Sequence, residues 1–483
     1  MLHANRRRTG SFRRPFWAYT AQHFYFTEGE LGLQQDIQLD RRSIIKLLIP
    51  VMIDQIFIAS LPMINTVIIS MLGQASMSGV SIIDQVNQLI TITVSAVGMG
   101  AAVMVAQYVG RDDRVAVARV IKQSYSFSMM ISLLSTALML VFSSQVAGIA
   151  LKGAEPEMLA IGRTYLAVTC LSYPFFGFYS NTTQVLRSMG ETRKAMFMSI
   201  LMNAGTMMLS LTFIYGFKLG IYGAAYASLG GRILGTLLGM YFVMKTHICR
   251  KLSDFFGLRL DFATVKMLIR MGLPAGVQSF FFIGARLVMN RFILPYGTDH
   301  ISANVVFTQL LDLQCTGSSV VLSMAPAIMG IAKGRGDQDG IRQAFKDLGF
   351  LAFWFGVPFA LLPLPFLDFF MNLYHLKEAA AVIASKMIFY NPLYIIPFVW
   401  FAGMAPSAFR GIGDSVVPPF ITAGCLWVGR VGTIALLCTY FNFGAYASYF
   451  AVMNDYLLRN ILYFWRYRSG AWLRAQRGVD GRG

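Results

Sequence analysis

Between Lys122 and Lys152 the chain reads QSYSFSMMISLLSTALMLVFSSQVAGIAL, without a single charged residue. A helix needs roughly 20 apolar residues to cross a bilayer, so this run is long enough by itself. Similar runs recur at regular intervals. Hydrophobic residues make up 56% of the 483 and charged residues only 13%, against roughly 25% charged in a soluble domain. That is too little charge to coat a soluble surface of this size, so part of the surrounding solvent is lipid. The expectation is an all-α integral membrane protein with about twelve spanning helices.

The formal net charge of +18 raises the possibility of nucleic acid, but the distribution of charge argues against it. Basic residues gather in the N-terminal segment, in GRDDRVAVARVIK (110–122), RSMGETRK (187–194), the loop 245–266, KGRGDQDGIRQAFK (333–346) and RYRSGAWLRAQR (466–477). The alternate loops LGQAS (72–76), YGTDH (296–300) and YFNFG (440–444) are short and nearly neutral. This is the positive-inside bias. It places both termini in the cytoplasm of a cell-membrane protein and assigns no nucleic-acid partner. The segment RRRTGSFRRPFWAYTAQHFYF (6–26) is too polar for a signal peptide or an anchor, and reads as a cytoplasmic tail or a segment touching anionic lipid. The five cysteines are scattered and contain no C-x-x-C, so neither a disulfide framework nor a zinc site is expected.

One phrase occurs twice: VLRSMGETRK from Val185 and AFRGIGDS from Ala408. The shift that carries Pro50 onto Pro274 also carries Gly73 onto Gly297, Ser78 onto Ser302 and Gln85 onto Gln309. It superposes Gly110-Arg111-x-Asp113 on Gly334-Arg335-x-Asp337, and Gly220 with Tyr222 on Gly444 with Tyr446. One residue less aligns Pro174-Phe175, Phe178, Arg187 and Gly190 with Pro397-Phe398, Phe401, Arg410 and Gly413. A near-constant register pinned by Pro, Gly and Arg marks a duplicated six-helix unit. Six is even, so the copies run parallel, as two bundles about an axis along the membrane normal. The division expected is a basic tail at 1–40, lobes at 41–250 and 251–470, and a second tail at 471–483. Paired bundles with a cleft between them suit an alternating-access carrier.

No P-loop, H-E-x-x-H or G-x-S-x-G occurs, so neither ATP-driven transport nor an enzyme is expected. Transport driven by an ion gradient remains, with no cofactor. Intramembrane charges are the places to look, since each costs on the order of 2.5–3.5 kcal/mol at a helix centre on insertion scales. Asp54, Asp84 and Asp312 have no cationic neighbour one turn away and are candidates for binding a cation or substrate. Asp455 and Arg459 stand at i,i+4 and are expected to pair with each other. Arg187 with Glu191, and Arg410 with Asp414, are expected as structural pairs at helix ends, where arginine complements the helix dipole. Gly190 and Gly413 suit the turns that follow. Gly231, Gly235 and Gly239 form a stripe that admits a neighbouring helix closely.

In order and at these intervals, Pro50, VAQYVGRDD (105–113), VLRSMGETRK, LGIYGAAYA (219–227), MGLPAGVQS (271–279) and FRGIGDS resemble the multidrug and toxic compound extrusion (MATE) family, bacterial type, over roughly 41–470. The resemblance implies a 6+6 helix fold that exports bulky, often cationic or amphipathic small molecules in exchange for protons or sodium ions. A monomer surrounded by membrane lipid is expected. The chain departs from the family at three places. One bacterial branch has an Asp where Asn65 stands, and pairs an Asn with an acid where this chain has Asn203 and Met207. Another branch has a glutamate in the seventh helix, where this chain offers Arg286. The candidate ion and substrate residues are therefore Asp54, Asn65, Asp84, Asn203 and Asp312. Asp84 is the expected replacement for the missing acid: at about 1.5 Å per residue, it and Asn65 stand near one depth on adjacent antiparallel helices. The alternative reading is a lipid-linked glycan flippase of the same superfold, to which Arg232, Arg286 and Arg291 give weight.

Overall fold

The computed structural model describes residues 40–70, 74–150, 156–245, 260–336, 338–374 and 376–474. The basic tail, most of the loop 245–266 and the chain beyond 474 lie outside them, as do the side chains of residues 59–82, Asn65 included. Twelve helical segments form two bundles of six. In the N-lobe they are α1 (Arg41–Ser70), α2 (Gln74–Gly110), α3 (Arg114–Ala150), α4 (Pro156–Cys170, continuing as Tyr173–Ser188), α5 (Thr192–Gly216) and α6 (Gly220–Lys245). The C-lobe has α7 (Phe262–Tyr296), α8 (Thr298–Gly334), α9 (Gln338–Leu373), α10 (Glu378–Gly411), α11 (Val417–Phe441) and α12 (Tyr446–Arg468). Among the described residues, nine helices are long and apolar enough to cross a membrane. Leu133, Leu134 and Val141 of α3, with Phe280 of α7 and Val428 of α11, are exposed on the outside of the bundles, where lipid is their natural solvent.

The repeated phrase is a helix stop. Gly190 and Gly413 adopt left-handed φ of 83° and 94°, which a residue without Cβ tolerates best. The Glu191 amide then donates to the Leu186 carbonyl at 2.9 Å, and the Asp414 amide to the Phe409 carbonyl at 3.0 Å, a Schellman-type closure. The fourth span is interrupted: α4 breaks at Leu171–Ser172, and Pro174 stands at the start of its second half. Its repeat mate α10 is irregular at the corresponding place, Pro392 to Val399. The start of α7 is capped by Asp261, whose carboxylate accepts from the Ala263 amide at 3.2 Å and the Thr264 hydroxyl at 2.6 Å. The hydroxyl bond holds that carboxyl below its usual pKa.

The lobes meet at the end where α2 and α8 finish. A Cβ on Gly110 would stand 2.2 Å from the Ile331 carbonyl oxygen, and one on Gly334 2.2 Å from the Gln107 carbonyl oxygen. Each residue contacts its partner's repeat mate, as an isologous two-fold contact requires, so the pseudo-two-fold axis passes between Gly110 and Gly334. The Gln107 amide crosses to the Gly411 carbonyl at 2.9 Å. Deeper in, Gly100 of α2 and Gly272 of α7 touch backbone to backbone, with a Cβ on Gly272 only 2.1 Å from the Ala96 carbonyl. The equivalent positions across the axis hold Met324 and Leu48, both buried. Arg41 at the start of α1 reaches Asp347 of α9 at 2.7 Å. Ile44, Leu48 and Val51 join the core formed by α8, α9, α10 and Trp472. Toward the opposite end, near Gln85 of α2 and Asn290 of α7, the lobes separate and a cavity opens between them.

Candidate functional site: a cleft between the lobes

Three hollows lie along the separation. Near its mouth a cavity of about 440 Å³ lies between α2 and α7, walled by Gln85, Gln88, Gln278, Phe282, Arg286 and Asn290. Gln88 also belongs to a cavity of about 300 Å³ inside the N-lobe, shared with Asp84, Asn87, Tyr165, Thr206 and Arg232. At the bottom, about 410 Å³ is enclosed by both lobes, with Met99, Phe176, Tyr179 and Arg187 on one side and Met271 and Arg410 on the other. Each volume falls in the range of small-molecule sites, and the mixture of apolar walls with a few polar groups is typical of them.

Asp84 projects into the N-lobe cavity from the third turn of α2. Its Oδ1 accepts from the Tyr165 hydroxyl at 3.0 Å and from the Asn87 amide at 3.3 Å. Among the described residues nothing bonds to Oδ2, which leaves half of the carboxylate to a ligand. Asn87 is itself fixed by Thr169 at 3.1 Å and by the Tyr173 hydroxyl at 2.7 Å. Tyr165, Thr169 and Tyr173 follow one another at four-residue spacing and so face α2 together from one side of α4. Arg232 of α6 lines the same cavity, held by the Ser172 hydroxyl and lying 5.0 Å over the Phe176 ring. It is close enough to influence Asp84 electrostatically but forms no ion pair with it among the described residues. Acid and base therefore face one small volume without cancelling in contact.

The other sequence candidates have different surroundings. Asp54 is buried and ion-paired with Arg187 from the end of α4, its Oδ1 left without a partner among the described residues. Asp312 pairs with Arg286 at 2.9 Å, both side chains open to their surroundings. Asn203 of α5 contacts Ser199 of its own helix at 3.4 Å, one turn from the cavity residue Thr206. Asn65 lies on α1, but its side chain is outside the described residues. Asp455 and Arg459 pair as expected, at 2.7 and 2.8 Å. Arg430 adds a third member at 2.9 Å and lies 5.7 Å over the ring of the cleft residue Phe282. Losing the one acid of this buried triad leaves two arginines facing each other. Asp455→Asn is therefore expected to cost about 3–5 kcal/mol, read as lost folded yield and a lower unfolding temperature in detergent, with substrate selectivity unchanged in the protein that folds.

Two expected pairs are corrected. Arg187 bonds to Asp54 and not to Glu191, which pairs with Lys194 at 3.0 Å. Arg410 does not meet Asp414, which Arg466 takes at 2.6 Å. Each arginine points back into its bundle because a helix-end side chain has as much reach toward the cavity as toward the turn. The role of Tyr165 and the α4 break were missed from the sequence. The signal for the break was Pro174 inside an otherwise apolar span.

Comparison with known proteins adds a third line. A model of the MatE family matches residues 50–212 and 274–435, two stretches that begin at the repeat mates Pro50 and Pro274. A protein described as a probable multidrug resistance protein NorM, from Thermotoga maritima, is 23% identical over 456 residues, covering 91% of this chain and 94% of that one. The multidrug export protein MepA of Staphylococcus aureus is 26% identical over 221 residues, 44% of this chain and 47% of that protein. Among solved structures, a MOP superfamily transporter from Pyrococcus furiosus, described as having a binding pocket of reverse polarity, superposes with a TM-score of 0.83 at 20% identity. It covers 92% of this chain and 99% of that one. The outward-facing conformation of a multidrug resistance MATE family transporter gives 0.82 at 19% identity, covering 93% and 100%.

Proposed function

The chain belongs to the MatE family, and from that premise we propose that it exports bulky amphipathic compounds across the cell membrane in exchange for protons or sodium ions. The observation that supports this most directly is the cleft: closed at one end by Gly110, Gly334 and Gly272, open at the other, with Asp84 unsaturated on its wall. The basic loops cluster at the closed end, so by the positive-inside bias that end faces the cytoplasm and the cleft faces outward. Relatives named for multidrug resistance and multidrug export agree with an exporter.

The mechanism follows from what the residues can do. A coupling cation and a cationic substrate compete for the free oxygen of Asp84, so binding one releases the other. Exposing the site to the other side of the membrane requires the lobes to part at Gly110 and Gly334, which breaks the Arg41–Asp347 and Gln107–Gly411 ties. The flippase alternative rests on cationic cavity residues: Arg286 is engaged by Asp312, while Arg232 lines the N-lobe cavity. The test is accumulation of rhodamine 123, a fluorescent lipophilic cation, in cells expressing the protein, with and without an ionophore. Export that collapses with the gradient supports the proposal. No export together with an altered envelope glycan favours the flippase.

A further inference from the structure

The repeat that relates the lobes breaks at one contact in the cleft. Arg187 and Arg410 are mates, and so are their partners: the shift that carries Pro50 onto Pro274 carries Asp54 onto Gln278. In the N-lobe the arginine is neutralised by Asp54. In the C-lobe the Arg410 guanidinium donates to the Gln278 side-chain carbonyl at 3.1 Å and to the Ser407 hydroxyl at 2.8 Å, both uncharged. No carboxylate pairs with Arg410 among the described residues, and the acid nearest in sequence, Asp414, is held by Arg466 at 2.6 Å. Arg410 nevertheless lines the cavity of about 410 Å³ at the floor of the cleft, beside Met271 and across from Tyr179 and Phe176.

We infer that Arg410 seats the anionic group of an amphipathic substrate, a carboxylate or sulfonate, whose apolar body lies against Phe176, Tyr179, Met99 and Met271. A guanidinium carries five N–H donors; two are used, and those remaining match the planar fork of such an anion. An uncompensated charge in a site of low dielectric attracts its counter-ion far more strongly than it does in water. The duplication shows what neutralisation looks like here, and this lobe lacks it. With Asp84 higher in the cleft, the same path then accepts cationic, anionic and zwitterionic amphiphiles.

The inference deepens the export reading and rests on it for the word substrate, but its test is a binding measurement. Fluorescein, an anion at neutral pH, and rhodamine 123, a cation on the same xanthene ring, are titrated by fluorescence polarisation onto the purified protein in phosphatidylcholine nanodiscs. Arg410→Gln should weaken fluorescein at least about tenfold, the worth of one charge-assisted pair, without weakening rhodamine 123. Gln278→Glu gives the C-lobe the carboxylate that Asp54 supplies in the N-lobe. It keeps Arg410 and should weaken fluorescein to a similar extent, so the test survives if Arg410→Gln does not fold. Competition by phosphatidylglycerol in the disc would identify the anion as a lipid headgroup at the same seat. Fluorescein that binds equally to wild type and Gln278→Glu, or does not bind wild type at all, overturns the inference even where rhodamine 123 is exported. Failure of rhodamine 123 export with these fluorescein shifts intact would instead undo the export reading alone.

Discussion

Asp84→Asn is expected to abolish gradient-driven transport in proteoliposomes, reducing it to the level of empty vesicles, while the protein folds and inserts normally. The amide keeps the size of the carboxylate and can still meet Tyr165 and Asn87, so the packing of α2 against α4 survives. What it loses is the negative charge and the ability to take up a proton and give it up again. Asp54→Asn is expected to behave differently. It strands Arg187, which is buried against it, and breaking a buried pair from one side costs about 3–5 kcal/mol. The loss there should appear first as folded yield. Asp312→Asn frees Arg286 in a more open setting, where an ion pair is worth roughly 0–1 kcal/mol, and should leave coupling in place. Coupling that persists in Asp84→Asn while Asp312→Asn destroys it would move the ion site to the C-lobe.

The second large effect concerns closure of the lobes. Gly272→Leu should eliminate transport of every substrate, because the added side chain meets the Ala96 carbonyl and the Gly100 backbone instead of flexible side-chain ends. Overpacking costs about 1–3 kcal/mol where neighbours can yield, and backbone atoms of a packed helix yield less. The lobes would then part at the end where they now touch, letting the cleft leak or lock. Gly424→Ala is the matched control, since nothing stands within 4 Å of its Cβ and its effect should be negligible. Cysteine labels on the ends of α2 and α8 would report the change: normal accessibility in Gly272→Leu contradicts the role given to this contact.

The fold was open to reading from the chain because lipid enforces it. Long uncharged runs leave helices as the economical outcome, and Pro50, Gly110 and Arg187 with their mates fix the duplication. Gly190 and Gly413 could be read because a left-handed turn demands a residue without Cβ. The pair Asp455–Arg459 was legible because i,i+4 spacing puts both on one helix face. Long-range partners were not. Nothing local says that Arg187 reaches Asp54, or that Tyr165 and Arg232 share a cavity with Asp84, because those contacts depend on how helices pack. One clue lay unread in the repeat itself: Asp54 falls opposite Gln278 in the register that aligned everything else.

The central claim is that a coupling cation and an organic cation exclude one another at Asp84. The most direct measurement is rhodamine 123 affinity for the purified protein across a series of proton concentrations and, separately, sodium concentrations. The wild type should lose affinity as one of these two ions rises, and Asp84→Asn should bind with an affinity that neither ion changes. Equal ion dependence in wild type and Asp84→Asn, with both folded, would contradict the account.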